Sequence, residues 1–80
     1  MIRLNSRTFA RLESAAFTGL YPDHGTEVAI YSVSSIGDAL YVQFCLWSVE
    51  RDAPGEVKTA IITHTKISIS YREDWINYRV

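Results

Sequence analysis

The feature that most constrains the fold is a change in side-chain period near residue 26. Upstream of it, apolar side chains recur at helical spacing, at Phe9, Leu12, Ala16 and Leu20. Downstream of it, segments rich in Val, Ile, Thr and aromatic residues alternate between turn signals, as strands do. The chain is therefore predicted to be a single domain over residues 1–80, with one helix followed only by strands.

The helix is expected over residues 6–19. Asn5 is a candidate N-cap, because its side-chain oxygen can accept hydrogen bonds from the free amides of the first turn. Leu4 can then pack on Phe9 as a hydrophobic staple. Gly19 and the proline that follows the helix supply the stop signals.

Strands are expected at residues 27–34, 39–50, 56–71 and 76–80. They are joined by a two-residue turn at Gly37-Asp38 and by four-residue loops at residues 52–55 and 72–75. These loops place Leu40 opposite Ile67, and Ile67 opposite Val80. The predicted fold class is α+β: one N-terminal helix packed on a four-stranded antiparallel meander sheet. An alternative for the C-terminal segment is a short helix, since Ser70 and Glu73 have the spacing of a capping box.

The second face of the predicted sheet is expected to be an association surface. The registers that follow from these turns give this face an apolar centre and a polar rim, a pattern typical of interfaces when it is exposed. The expected interface residues are Val28, Ile30, Tyr41, Gln43, Cys45, Trp47, Ile62 and His64. The alternative is that the sheet curls over this face, or that the connector at residues 20–27 covers it.

Charge and cysteine content limit the classes of partner. The net charge of −1, from 8 basic and 9 acidic residues, removes any global attraction to nucleic acid or to an anionic membrane. No run approaches the roughly 20 apolar residues that cross a bilayer. The one cysteine cannot form an internal disulfide, which favours a reducing compartment, and a cytoplasmic location is expected. The arginines near the N-terminus faintly resemble a mitochondrial presequence, but an ordinary first helix explains them equally.

No motif in the chain is specific enough to fix a reaction, a cofactor or a metal. A Cys45–His64 pair would lie on neighbouring strands of the predicted sheet, although a buried cysteine more often acts as a small apolar side chain. A metal site built from Asp23, His24 and His64 lacks the short ligand spacings of such sites. A protein that is not an enzyme, without cofactor or metal, is therefore expected.

The leading functional hypothesis is a small protein-interaction module that acts through the second sheet face. It would act as a homodimer, as an adaptor or as an inhibitor of a larger protein, and a phage or mobile-element protein of this size would fit, although no residue supports that origin. The alternative is a small nucleic-acid-binding module that uses basic side chains on and beyond the helix. Those side chains are Arg3, Arg7, Arg11, Lys58 and Lys66.

Overall fold

A computed structural model describes residues 4–20, 25–71 and 74–79 of the chain. One helix, α1 (Ser6–Leu20), precedes six strands. The strands are β1 (Thr26–Ile36), β2 (Ala39–Ser48), β3 (Ala53–Pro54), β4 (Lys58–Ile62), β5 (Lys66–Tyr71) and β6 (Asp74–Arg79). The predicted α+β class is confirmed. Within the described ranges, no helix has the length and apolar character needed to span a membrane.

The start of α1 is the predicted one. The Asn5 side chain accepts a hydrogen bond from the amide of Thr8 at 2.7 Å, so Asn5 is the N-cap. The first helical hydrogen bond follows directly, from the amide of Phe9 to the carbonyl of Asn5 at 2.9 Å. The helix ends at Leu20, one residue beyond the predicted end.

The sheet has six strands, so the prediction of four was wrong. Five of them form an antiparallel meander in the order β1-β2-β4-β5-β6, and β3 pairs with the end of β2. The expected strand over residues 56–71 divides into β4 and β5 because the chain turns after Thr63. The Thr63 hydroxyl closes this turn by accepting from the Lys66 amide at 3.1 Å, while the Thr63 amide donates to the Lys66 carbonyl at 2.8 Å.

The first hairpin has the predicted turn but not the predicted register along its whole length. Ile36 pairs with Ala39, and Gly37 has a φ of 58°, as the first position of a type II′ turn requires. A β-bulge at Tyr31 then shifts the pairing by one residue, so that Ile30 lies opposite Phe44. Val28 and Ile30 therefore lie on the helix side of the sheet, and their predicted place on the second face was wrong.

The pairing of β2 with β4 also differs from the prediction. The chain between them returns along β2 as the short strand β3, in which Pro54 pairs with Trp47, and β4 begins only at Lys58. Leu40 then pairs with Ile62, and this changes which residues of β4 face the helix. Ile62 lies on the helix side, so its predicted place on the second face was wrong as well.

The C-terminal segment is a strand rather than the alternative helix. Tyr71 pairs with Asp74, so two residues connect β5 to β6 instead of the predicted four. Ile67 pairs with Tyr78, two residues earlier along β6 than predicted. A shift of two residues leaves every side chain on its predicted face.

The hydrophobic core lies between α1 and one face of the sheet, which we call the covered face. It contains three helix residues and six strand residues: Leu12, Ala15, Ala16, Val42, Phe44, Ala60, Ile62, Ile67 and Ile69. Val28, Ile30 and Leu46 pack against this core from its margin. Burying a Val, Leu, Ile or Phe side chain stabilises the fold by about 1.5 to 3 kcal/mol, so the six larger members of this core contribute strongly to stability.

At Gly19, α1 packs closely against the side chain of Tyr78 on β6. The phenol oxygen of Tyr78 is buried there, and a β-carbon on Gly19 would overlap that oxygen and the adjoining ring carbon. The overlap explains why a glycine stands inside the last helical turn, where it otherwise lowers helix stability.

We expect Gly19→Ala to destabilise the protein by about 1 to 3 kcal/mol, the usual cost of an overpacked side chain. Helix propensity alone predicts the opposite sign, a gain of about 1 kcal/mol. Urea unfolding measures the difference. Thr18→Ala, at an exposed position one residue earlier, is the control and should change stability by less than about 0.5 kcal/mol. A Gly19→Ala protein more stable than wild type would contradict this packing.

Candidate binding surface

The face of the sheet that points away from α1 is here called the open face. No helix or strand of the described residues packs on it. Its exposed strand side chains include Glu27, Tyr31, Ser32, Ser34, Ile36, Tyr41, Gln43, Lys66, Trp75 and Asn77. Trp47, Thr59, Ile61 and Ser70 are half-buried on the same face.

Three aromatic side chains stand exposed on the open face. Tyr31 is 55% exposed, Trp75 is 45% exposed and Tyr41 is 36% exposed. They come from β1, β6 and β2, so they extend over the full width of the meander. Tyr41 lies directly across from Ile61 on β4, which gives the middle of the face an apolar contact.

Polar side chains between the aromatic residues are held in hydrogen-bonded pairs. The Ser32 hydroxyl donates to Gln43 Oε1 at 3.2 Å, and the Ser68 hydroxyl donates to Asn77 Oδ1 at 2.6 Å. The Ser70 hydroxyl accepts from the amide of Thr59 at 2.9 Å. The open face therefore carries hydrogen-bonded polar side chains between its aromatic residues. It has fewer apolar side chains than predicted, because Val28, Ile30 and Ile62 lie on the covered face.

The structure divides the predicted interface residues into two groups. Those on β2 lie on the open face as predicted: Tyr41, Gln43, Cys45 and Trp47. The others do not: Val28, Ile30 and Ile62 are on the covered face, and His64 lies in the turn between β4 and β5. The residues that the sequence reasoning missed are Tyr31, Ile61 and Trp75. Tyr31 was missed because of the bulge, and Ile61 because the changed pairing of β2 with β4 moves it to the other face. Trp75 was missed because β6 begins two residues earlier than predicted.

Cys45 is fully buried although it belongs to the open face. The Tyr31 hydroxyl and Cys45 Sγ lie 3.3 Å apart and share a hydrogen bond, so Tyr31 lies over the thiol. Cys45 and His64 are not neighbours, contrary to the prediction. Cys45 lies just beyond Phe44, where the pairing of β2 with β4 ends, whereas His64 follows the opposite end of β4. The cysteine is therefore placed as a covered thiol beside a tyrosine.

We expect Cys45 to react slowly with a disulfide reagent such as Ellman's reagent in the native protein, and Tyr31→Ala to accelerate the reaction roughly tenfold or more, since it uncovers the sulfur. Tyr41→Ala is the control: it removes another exposed tyrosine from the open face, on the neighbouring strand β2, and should leave the reaction rate unchanged. Equal rates in the two variants would show that the strands alone protect the thiol.

The hydrogen bond to Cys45 raises the pKa of Tyr31 above its ordinary value of 10.0, with smaller contributions from desolvation and from the charge of the Cys45 thiolate. A raised pKa means that this contact stabilises the fold fully below pH 10 and less as pH rises through the raised value. In an alkaline titration followed by tyrosine absorbance, Cys45→Ala should bring one phenol to a lower pKa. Cys45→Ser keeps a hydrogen-bonding atom and should retain part of the shift; identical titrations for wild type and Cys45→Ala would contradict the contact.

The predicted nucleic-acid set is not gathered on one surface. Arg11 ties α1 to the turn between β4 and β5, donating through Nη2 to the carbonyls of Thr63 at 2.8 Å and His64 at 3.5 Å. Lys58 lies on the covered face with its side chain only 14% exposed, 4.0 Å from Glu56. Lys66 belongs to the open face, and Arg7 is exposed on the flank of α1.

Three predicted residues lie outside the described ranges. They are Arg3 of the nucleic-acid set, and Asp23 and His24 of the candidate metal site. Within the described part of the chain, no three histidine, cysteine, aspartate or glutamate side chains are grouped so that they could hold a metal ion.

Comparison with known proteins found no match: no family model, no curated protein and no solved structure is similar to this chain. The functional argument therefore starts from the chemistry of the open face.

Proposed function

We propose that the protein is a non-enzymatic binding module that associates through the open face, with a second copy of the chain as its partner. The observation that carries the proposal is the exposure of Tyr31, Tyr41 and Trp75 on a face that no described helix or strand covers. Tyrosine and tryptophan contribute most to binding energy at protein interfaces, because they bury a large area for few rotatable bonds.

The chemistry of the open face is complementary to itself. Its polar side chains are mainly those of Ser, Thr, Asn and Gln, which both donate and accept hydrogen bonds. A two-fold dimer brings the same surface of each copy together. Because the polar side chains of this face both donate and accept, those of one copy can pair with those of the other. Two sheets can stack in this way about 10 Å apart.

The charges of the open face support the same arrangement. Among its described side chains only Glu27 and Lys66 are charged, and they have opposite signs. Glu27 lies on edge strand β1 beside Trp47, whereas Lys66 lies toward the other edge and the other end of the sheet. Glu27 and Lys66 thus lie along one diagonal of the sheet. A two-fold axis along the other diagonal brings Glu27 of one copy over Lys66 of the other, and their opposite charges favour this dimer.

An adaptor or an inhibitor would use the same face to bind a different protein. These functions become the leading proposal if the chain does not associate with itself. A nucleic-acid-binding function has less support. The described basic side chains are divided among the helix flank, the covered face and the open face, so they offer no continuous track for a phosphate backbone.

The decisive experiment is light scattering after size-exclusion chromatography, across a dilution series from millimolar to micromolar chain. We expect a mass of about twice 9.1 kDa at high concentration, falling toward the monomer on dilution. Trp75→Ser should raise the dissociation constant by about 30-fold or more, the equivalent of one lost hot spot of 2 kcal/mol. Val57→Ser, at a residue 53% exposed in the loop before β4, is the control and should leave the dimer intact.

The orientation of the two copies can be tested by exchanging the charges. Lys66→Glu should weaken the dimer because it places two acidic side chains together, and Glu27→Lys combined with Lys66→Glu should restore it. Circular dichroism and urea unfolding check that each variant remains folded. A wild-type chain that is monomeric at millimolar concentration would overturn the second copy as the partner.

A further inference from the structure

A groove of about 500 Å³ runs between the flank of α1 and the strands β5 and β6. Small side chains make its helix wall: Ala10, Ser14, Ala15 and Thr18. Ile67 and Tyr78 make its strand wall. The groove exists because the largest buried residue of α1, Leu12, belongs to the core, whereas the flank over β5 and β6 carries side chains too short to fill the space.

Two arginines line the groove, and none of the described residues that line it is acidic. Arg11 is held in place by its hydrogen bonds to the turn carbonyls, and its Nε is buried without a hydrogen-bond partner in the described part of the chain. Arg7 is exposed one helical turn earlier and forms no hydrogen bond or ion pair with the described residues. The two cations lie one helical turn apart and repel each other, and Arg7, in the first turn of α1, also opposes the helix dipole. A bound anion would relieve this unfavourable arrangement.

We propose that this groove is a binding site for a small amphiphilic carboxylate. The carboxylate pairs with the guanidinium groups of Arg7 and Arg11, which suit a planar anion with two oxygens. The apolar part of the ligand lies along Ala10, Ala15 and Ile67. The volume falls within the range of small-molecule sites, about 300 to 1,000 Å³.

The groove is independent of the proposed dimer surface. It lies on the helix side of the sheet, whereas the open face lies on the other, so neither site needs a residue of the other. Failure of one proposal therefore leaves the other standing, and the two can be measured in the same protein sample.

The test is a titration of the isotope-labelled full chain with decanoate below its micelle concentration, followed by amide chemical shifts. Decanol, which has the tail without the charge, and acetate, which has the charge without the tail, are the ligand controls. We expect saturable shifts confined to α1 and to the strands around Ile67 and Tyr78, with both controls binding much more weakly.

Two variants separate the two halves of the site. Arg7→Gln should weaken decanoate binding about tenfold, the value of one charge-assisted hydrogen bond at a partly exposed site. Ala10→Leu keeps both arginines but places a larger side chain on the helix wall of the groove. It should also weaken binding, because it fills the space for the apolar part of the ligand. Arg51→Gln makes the same change of charge in the loop between β2 and β3 and should have no effect.

Three results would overturn the proposal. The first is the absence of saturable shifts at millimolar decanoate. The second is equal weakening by Arg7→Gln and Arg51→Gln, which would mean general charge attraction. The third is tighter binding of decyl phosphate than of decanoate, which would assign the arginines to a phosphate ligand instead.

Discussion

The packing of one helix on one side of the sheet determines the rest of this structure. The outer strands of a five-stranded meander lie about 19 Å apart, whereas a helix with its side chains is about 10 Å wide. A single α1 therefore covers only part of one face, through Leu12, Ala15 and Ala16. The groove lies beside the helix on that face, between α1 and the strands β5 and β6, and the open face is the side that the helix cannot reach at all.

Strand β2 explains why apolar and aromatic side chains occur at consecutive positions in so small a protein. It is a central strand, paired with β1 on one side and with β3 and β4 on the other. Val42 and Phe44 enter the core beneath α1, while Tyr41 and Trp47 point to the open face. A strand in this position needs apolar side chains on its helix side for stability, and those on its other side are available for association.

The helix and the first turn could be predicted from the sequence because their signals are local. Asn5 caps α1 through its own side chain, and Gly37 supplies the positive φ that its turn requires. The turn after β4 could not be predicted in this way, since Thr63 closes it with a hydroxyl hydrogen bond and neither glycine nor proline marks it. The bulge at Tyr31 likewise sits inside an uninterrupted strand pattern.

The difference between local signals and a register set elsewhere in the sheet explains which candidate site residues were placed on the correct face. The face of a β2 residue follows from the alternation of that strand alone, so Gln43 and Trp47 were placed correctly. Ile30 and Ile62 depend on a register set elsewhere, and a shift of an odd number of residues moved each to the other face. Trp75 was placed in a loop for a different reason: only two residues connect β5 to β6, so β6 begins earlier than predicted and includes Trp75.

The hydrogen bond from Arg11 to the carbonyl of Thr63 joins residues 52 positions apart, whereas the strands of the meander pair with near neighbours in the chain. During synthesis α1 leaves the ribosome before the strands, yet it cannot complete its packing until β5 has emerged. The hairpins can form in order as they appear, at low loop-closure cost, while the helix waits with its apolar stripe unburied. A helix made before the strands thus completes its packing only after several of them have paired, and its apolar stripe stays exposed in the interval.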